Sequence, residues 1–343
     1  MRLLAIGPGA RPAWSAALAE DAGAVVSQTP AWMDALVACT GMEDVTRAYE
    51  AADGRLLALP LARRRALRFE ASAPAGWGTG GLVGARIGAE DVAAVLADLL
   101  RRPALRTSVR PDPAGAEAWS VAAPSSAGTT PLMAQSLALG VPFDDVWSNH
   151  FTSRVRGHCR RAERADLDVE QDATGRLIGV FDRLYRLSVD RWAAQQHEPV
   201  RLARWRAARR DPSRKFALVA RHLGAACRVW VAWRQGEPAA AIVVLRHGAQ
   251  ATYWRGAMDR ELIGKTGANQ LLHRLAIEDA CRTGALAYHL GDSAPGSPLA
   301  EFKRGFGATE RHYRAYRFER LPLTAVEDSA RGAVKRVLRF RDA

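Results

Sequence analysis

The chain has 343 residues, 48% hydrophobic and 25% charged, enough for two ordinary domains with sizeable cores. Its net charge of +13 is uneven: residues 1–145 carry 13 Arg and no Lys against 15 acidic groups, so the surplus belongs to residues 146–343 and points to a polyanionic partner there. No apolar run approaches the roughly 18 residues that span a bilayer, the start is too short for a signal-peptide core, and Cys39, Cys159, Cys227 and Cys281 form no C-x-x-C pair. The expectation is a cytoplasmic protein without a transmembrane segment, disulfide framework or metal site.

In chain order, the short apolar stretch before Gly7-Pro8-Gly9 reads as a first strand, and Thr29-Pro30 opens a helix that runs to about Cys39. Strands at 44–51 and 55–62 flank the hairpin signal Asp53-Gly54. A Gly/Trp-rich loop, Gly76 to Gly81, leads to a helix at 89–101 and a strand at 105–110. The Pro111–Gly128 stretch is irregular, with a candidate strand at 117–122. A basic helix over 148–165, with Ser148 as N-cap, precedes a short strand at 167–169. Apolar residues near a 3.6 period, Leu177 to Trp192 and including Leu187, predict a helix over 176–194. A second helical stretch, 201–223, breaks at Asp211-Pro212.

Strand-like runs follow at 227–234, 239–246 and 251–257, then a loop at 259–267, a helix at 268–283, a strand at 288–290, a short helix at 298–306 and a last strand at 309–319. The order from 167 is β-α-α-β-β-β-α-β-α-β, a mixed α/β domain. The first half repeats part of it: hairpin glycine to following helix spans 35 residues there (Gly54 to 89) and 33 in the second half (Gly236 to 269). This predicts an internal duplication with a boundary at 145/146.

Three segments hold groups suited to chemistry. On the basic helix, Arg156, Arg160 and Arg164 are spaced by four and form a stripe whose guanidinium forks suit phosphates or an anionic acceptor. The loop Asp259–Asn269 joins a strand to a helix N-terminus, where backbone amides, Gly264 and Gly267 can approach an anion and Arg260, Lys265 and Asn269 can add donors. The third is Gly284, Tyr288, Leu290, Gly291, Asp292 and Ser293, followed by Phe302-Lys303-Arg304-Gly305-Phe306-Gly307-Ala308. No P-loop, H-E-x-x-H or G-x-S-x-G motif is present.

The third segment resembles the Fem family of peptidoglycan interpeptide-bridge aminoacyltransferases and their acyltransferase relatives, in the GCN5-related N-acetyltransferase (GNAT) superfamily. Asn269-Gln270-Leu271-Leu272-His273, Arg160-Arg161-Ala162 with Leu167, and Gly76-Trp77-Gly78 with Gly80-Gly81 fit the same pattern, so the likeness covers nearly the whole chain. It implies two tandem GNAT-like domains, 1–145 and 146–343, each a mostly antiparallel sheet flanked by helices. It also implies transfer of an acyl or aminoacyl group from acyl-CoA or aminoacyl-tRNA to an amine on a cell-envelope or secondary-metabolite precursor, with no tightly bound cofactor.

In the family's terms Lys303 is the oxyanion stabiliser, the loop Arg260, Gly264, Lys265, Gly267, Asn269 holds the donor, and Tyr253 and Arg255, on one side of their strand, contact it. Ser293 and Phe306 belong with the acceptor contacts. For a general base, Asp292 and His289 stand as candidates. Two other readings stay open: a CoA-dependent N-acyltransferase acting on amino sugars or polysaccharide precursors, and a non-catalytic nucleic-acid-binding protein.

Overall fold

A computed structural model describes residues 1–324; the end of the expected second domain, 325–343, lies outside them. An eleven-stranded sheet runs through both halves, and a three-stranded sheet of Arg2–Ile6, Arg47–Glu50 and Leu56–Leu59 sits beside it. The fold is mixed α+β with a mostly antiparallel sheet flanked by helices. The sheet's core is the meander Cys227–Arg234, Glu237–His247 and Gln250–Met258, paired in sequence order.

The central strand shows why its sequence is apolar throughout. Ala241, Val243 and Leu245 face one core, with Phe181, Phe216 and Trp254, while Ala240, Ile242 and Val244 face another, with Leu272, Tyr288 and Phe306. Both faces are covered, so period-two alternation gives two apolar sides instead of one. Helices Ile178–Gln195 and Ser213–Leu223 cover the first side; Ser153–Arg164 and Ala268–Arg282 cover the second.

Strand Gly128–Ala138, in a stretch to which the sequence reading assigns no element, lies between Ala287–Asp292 and Thr309–Glu319 and pairs antiparallel with both. Thr309–Glu319 in turn pairs with Arg106–Val109, so the two halves share one continuous sheet.

Three local expectations are corrected. Residues 117–122 fall in a helix, Ala116–Ala122, because Trp119 buries its ring against Tyr316, 6.1 Å away. Ser148 lies in a separate short helix, Phe143–Asn149; the chain breaks so that Phe151 can pack on Phe306, and Thr152 caps the basic helix instead, accepting from Val155 N. Leu187 stands 46% exposed, off the apolar face of its helix.

Candidate active site

A cleft of about 1220 Å3 lies between the halves. It exists because strands Gln250–Met258 and Ala287–Asp292, which run parallel, pair only over Gln250–Thr252 with Ala287–His289. Beyond that point each continues without the other, and Tyr253–Met258 and His289–Asp292 line the cleft. Trp32 and Gly76 close it from the first half, Trp32 meeting both Trp77 and Trp254 edge-on at 5.4 and 5.5 Å.

A β-bulge at Trp254 redirects this wall: Tyr253 opposes Val244 and Arg255 opposes Val243, leaving Trp254 as the extra residue. The expected common side for Tyr253 and Arg255 is therefore corrected. Tyr253 packs edge-on against His273 at 4.6 Å, while Arg255 reaches Asp211 at 3.2 Å on the opposite face. Both still line the cleft.

Lys303 projects from the short helix Pro298–Arg304, capped by Ser297, whose Phe302 turns toward His273. The lysine is 2% exposed, lines the cleft, and donates from Nζ to the carbonyls of Gly291 at 2.9 Å and Asp292 at 2.7 Å. An ammonium has three N–H groups, so one is left for the cleft. Burial pushes its pKa down to about 8, against the pull of Asp292. Close by, His273 is driven to about 3 by burial and then by the Lys303 charge, so it is a neutral wall residue.

Asp292 itself is committed. Its carboxylate pairs with Arg110 and accepts from Tyr313 Oη at 3.0 and 3.1 Å. His289 is less encumbered. Gln250 Nε2 donates to the Ala22 carbonyl at 2.8 Å, which turns Gln250 Oε1 toward His289 Nε2, also 2.8 Å away. Nε2 must then carry the proton, leaving Nδ1 with a lone pair. Burial lowers the pKa of His289 and raises that of Asp112, each opposed by the other, and both line the cleft.

Three cleft-wall atoms are buried with no hydrogen-bond partner among the described residues: Gln135 Oε1, Thr252 Oγ1 and Trp254 Nε1. Such atoms are costly unless something meets them, and a bound substrate would. None had a motif to mark it in the sequence.

Under the cleft floor lies a charge cluster. The fully buried Lys215 donates to Asp211 at 2.7 Å and to Gly76 O at 2.7 Å, and lies 4.4 Å over the Trp77 ring. Arg255, Arg210 and Tyr185 converge on the same carboxylate. These contacts tie the Gly76-Trp77-Gly78 loop of the first half to the second. One signal could have found Lys215: only four of the 49 basic residues are lysine, and among the described residues Lys215 and Lys303 are the buried ones.

The remaining candidates are more scattered. Asn269 lines the cleft and donates to Met258 Sδ at 3.5 Å. Arg260 starts a short helix, Arg260–Ile263, capped by Asp259, and is exposed. Gly264 and Gly267 have φ of 53° and 89°; a Cβ on Gly267 would meet His158 O at 2.5 Å, so the loop docks on the basic helix only as glycine. Arg156 spends its guanidinium on the carbonyls of Trp147, Ser148 and Phe151. Arg160 is exposed, whereas Arg164 and Lys265 line a second groove. Ser293 N donates to Met133 O at 3.0 Å and its Oγ is buried without a partner among the described residues. Phe306 sits wholly in the core against Phe151 and Phe302.

Residues 149–304 match the family model described as the acetyltransferase (GNAT) domain. This segment is similar to a GNAT domain. Over its length the chain is similar to the crystal structure of FemX, with a TM-score of 0.68 and 13% identity over 95% of this chain and 99% of that one. It is also similar to the C-terminal domain of a putative lysylphosphatidylglycerol synthetase from Agrobacterium fabrum (TM-score 0.53, 12% identity, 90% of this chain and 91% of that one). A tandem GNAT protein from the clavulanic acid biosynthesis pathway gives 0.51 and 14%, over 93% and 97% of the two chains. At these identities the likeness is one of fold, and it bears out the Fem-like GNAT architecture read from the sequence. No curated protein matches the chain. Among the described residues no helix is long and apolar enough to cross a membrane.

Proposed function

We propose that the protein forms an amide by moving an acyl or aminoacyl group onto an amine in the cleft between its halves. The observation that carries this reading is Lys303, a buried cation held by two carbonyls with one N–H left toward the cleft. The amine nitrogen attacks the activated carbonyl carbon, the carbonyl π pair moves to oxygen, and Lys303 binds the resulting oxyanion. Collapse re-forms the carbonyl and expels a thiolate from acyl-CoA or a ribose alkoxide from aminoacyl-tRNA, while the amine proton leaves to a base. A preorganised donor of this kind contributes roughly 10²–10³ in rate.

For the base, the arrangement favours His289 through its free Nδ1, with Asp112 as its charge partner. Asp292, saturated by Arg110 and Tyr313, serves as a positioning residue: it fixes the carbonyl that holds Lys303. The unpaired Gln135, Thr252 and Trp254 atoms supply hydrogen bonds to substrate. The acceptor is an amine on an envelope or secondary-metabolite precursor.

The test offers purified protein radiolabelled acyl-CoA or aminoacyl-tRNA with a panel of amines. Amide formation by the wild type, abolished in Lys303→Ala, is the expected result. Absence of transfer from every donor by folded protein, or transfer unaffected by Lys303→Ala, contradicts it.

A further inference from the structure

Helix Val200–Arg210 carries five arginines and no acidic residue, and it turns large apolar side chains to solvent. Its inner face is small: Ala203 is buried and Ala207 packs against the core behind it. On the outer face Arg201, Trp205 and Arg209 are spaced by four and form one ridge, with Leu202 beside it. Trp205 is 55% exposed and Leu202 36%. An apolar cluster rimmed by charge is the mark of a surface that meets something.

The neighbouring helix Ile178–Gln195 extends this surface. Asp190 pairs with Arg204 at 2.7 Å, which holds the two helices side by side. One turn before Asp190 is Leu187, 46% exposed, and one turn before that is Arg183, also exposed. The cations fall into two groups. Arg204, Arg206 and Arg210 pair with Asp190, Glu198 and Asp211 and so fasten the helix to the scaffold. Arg183, Arg201 and Arg209 have no carboxylate within ion-pairing distance among the described residues, and Arg209 lies 4.8 Å over the Trp205 ring instead.

We infer that this face docks on the surface of an anionic lipid bilayer, with the unpaired arginines at the lipid phosphates and Trp205 and Leu202 in the headgroup layer. An indole at that depth keeps its N–H wet and its rings out of water, and arginine stems lie along apolar surface while their heads stay at the phosphates. A polynucleotide would answer the charge but leave Leu187 and Leu202 in water. An apolar protein surface would cover the leucines but leave three cations unpaired. The boundary between hydrocarbon and phosphate answers both. The same two helices give Trp192, Gln196 and Arg210 to the cleft wall, so docking sets the cleft beside the bilayer. This contact is independent of the acyl-transfer reading.

The test is co-sedimentation of the full chain, at about 150 mM salt, with vesicles of phosphatidylcholine alone or mixed with phosphatidylglycerol. Wild type binds the phosphatidylglycerol vesicles and not the neutral ones. Trp205→Ala keeps every charge and weakens binding by about tenfold or more. Arg201→Gln/Arg209→Gln weakens it about 25-fold, about fivefold for each arginine. Arg64→Gln/Arg101→Gln removes the same charge from exposed positions of the first half and leaves binding unchanged. All the substituted side chains are exposed, and unchanged melting temperatures show that the variants fold. Wild-type affinity in Trp205→Ala overturns the inference, because net charge alone then accounts for the binding. So does failure of the wild type to bind the anionic vesicles. RNA binding or self-association that is lost in Trp205→Ala, with vesicle binding untouched, also overturns it and gives the face to a nucleic acid or to a second copy of the chain.

Discussion

The ammonium of Lys303 lies 2.7 Å from the main-chain oxygen of Asp292, while the carboxylate of that same residue is gripped by Arg110 of the first half and accepts from Tyr313 Oη at 3.0 Å. A single residue therefore links the proposed oxyanion donor to the interface between the halves. The cation is placed by main chain, and the main chain is placed by an ion pair that joins the two halves.

The pH dependence follows from burial. Lys303 titrates near 8 in the fold and near its ordinary 10.5 when unfolded. Between those values the unfolded chain binds more protons, so this group makes the fold more stable as pH rises; below about 8 it is charged in both states and the full penalty of burial is present. Activity runs the other way, because the neutral amine is a poor oxyanion donor. We expect log kcat/KM to fall above about pH 8 while the melting temperature does not fall over the same range. A Lys303→Arg variant with residual activity should lose that limb. A limb that persists in it would assign the titration to another group.

Removing the candidate base should be distinguishable from disturbing the support. His289→Ala is expected to lower kcat by roughly 10²–10⁴. Asp292→Asn keeps a hydrogen-bonding side chain against Tyr313 and should cost far less, with the acid limb of the pH–rate profile unchanged. If Asp292→Asn instead abolishes that limb and His289→Ala is nearly silent, the roles are reversed.

The buried cluster under the cleft should dominate stability. In Asp211→Asn, Lys215, Arg210 and Arg255 lose their shared carboxylate, and Lys215 is fully buried. Breaking such a pair from one side costs about 3–5 kcal/mol, readable by urea unfolding. Asp211→Asn/Lys215→Met should recover part of that loss. A loss below about 1 kcal/mol for Asp211→Asn would show that the cluster is hydrated and of little weight.

Gly267→Ala places a Cβ at 2.5 Å from His158 O on a backbone at φ 89°. Both effects oppose docking of the loop on the basic helix. The expected result is a loss of more than about 1 kcal/mol together with weaker donor binding, measured by unfolding and by donor titration. Wild-type stability would show that the loop reorganises without cost.

Much of the second half was legible because its signals are local. The meander, the crossover helix Ala268–Arg282 and the strand Thr309–Glu319 each carry their own periodicity and turn residues. Gly128–Ala138 was not: no element is read from it in the sequence, because the strand is specified by partners some 150–190 residues away. Lys303 was marked by its motif and by the rarity of lysine. The Trp254 bulge left no sequence trace, and it decides which way Arg255 points. Asp211 read only as a break before Pro212, since its role comes from Lys215, Arg255 and Gly76 meeting in three dimensions. His289 gained weight over Asp292 for the same reason: Arg110, which occupies Asp292, and Asp112 and Ala22, which set up His289 and Gln250, come from the first half.

The most direct test of the central claim is single-turnover amide formation with saturating donor and acceptor, comparing wild type with Lys303→Ala at pH 7. The account predicts a rate lower by about 10²–10³ with donor affinity retained. An equal rate in the two proteins, with both folded and both saturated, would contradict it.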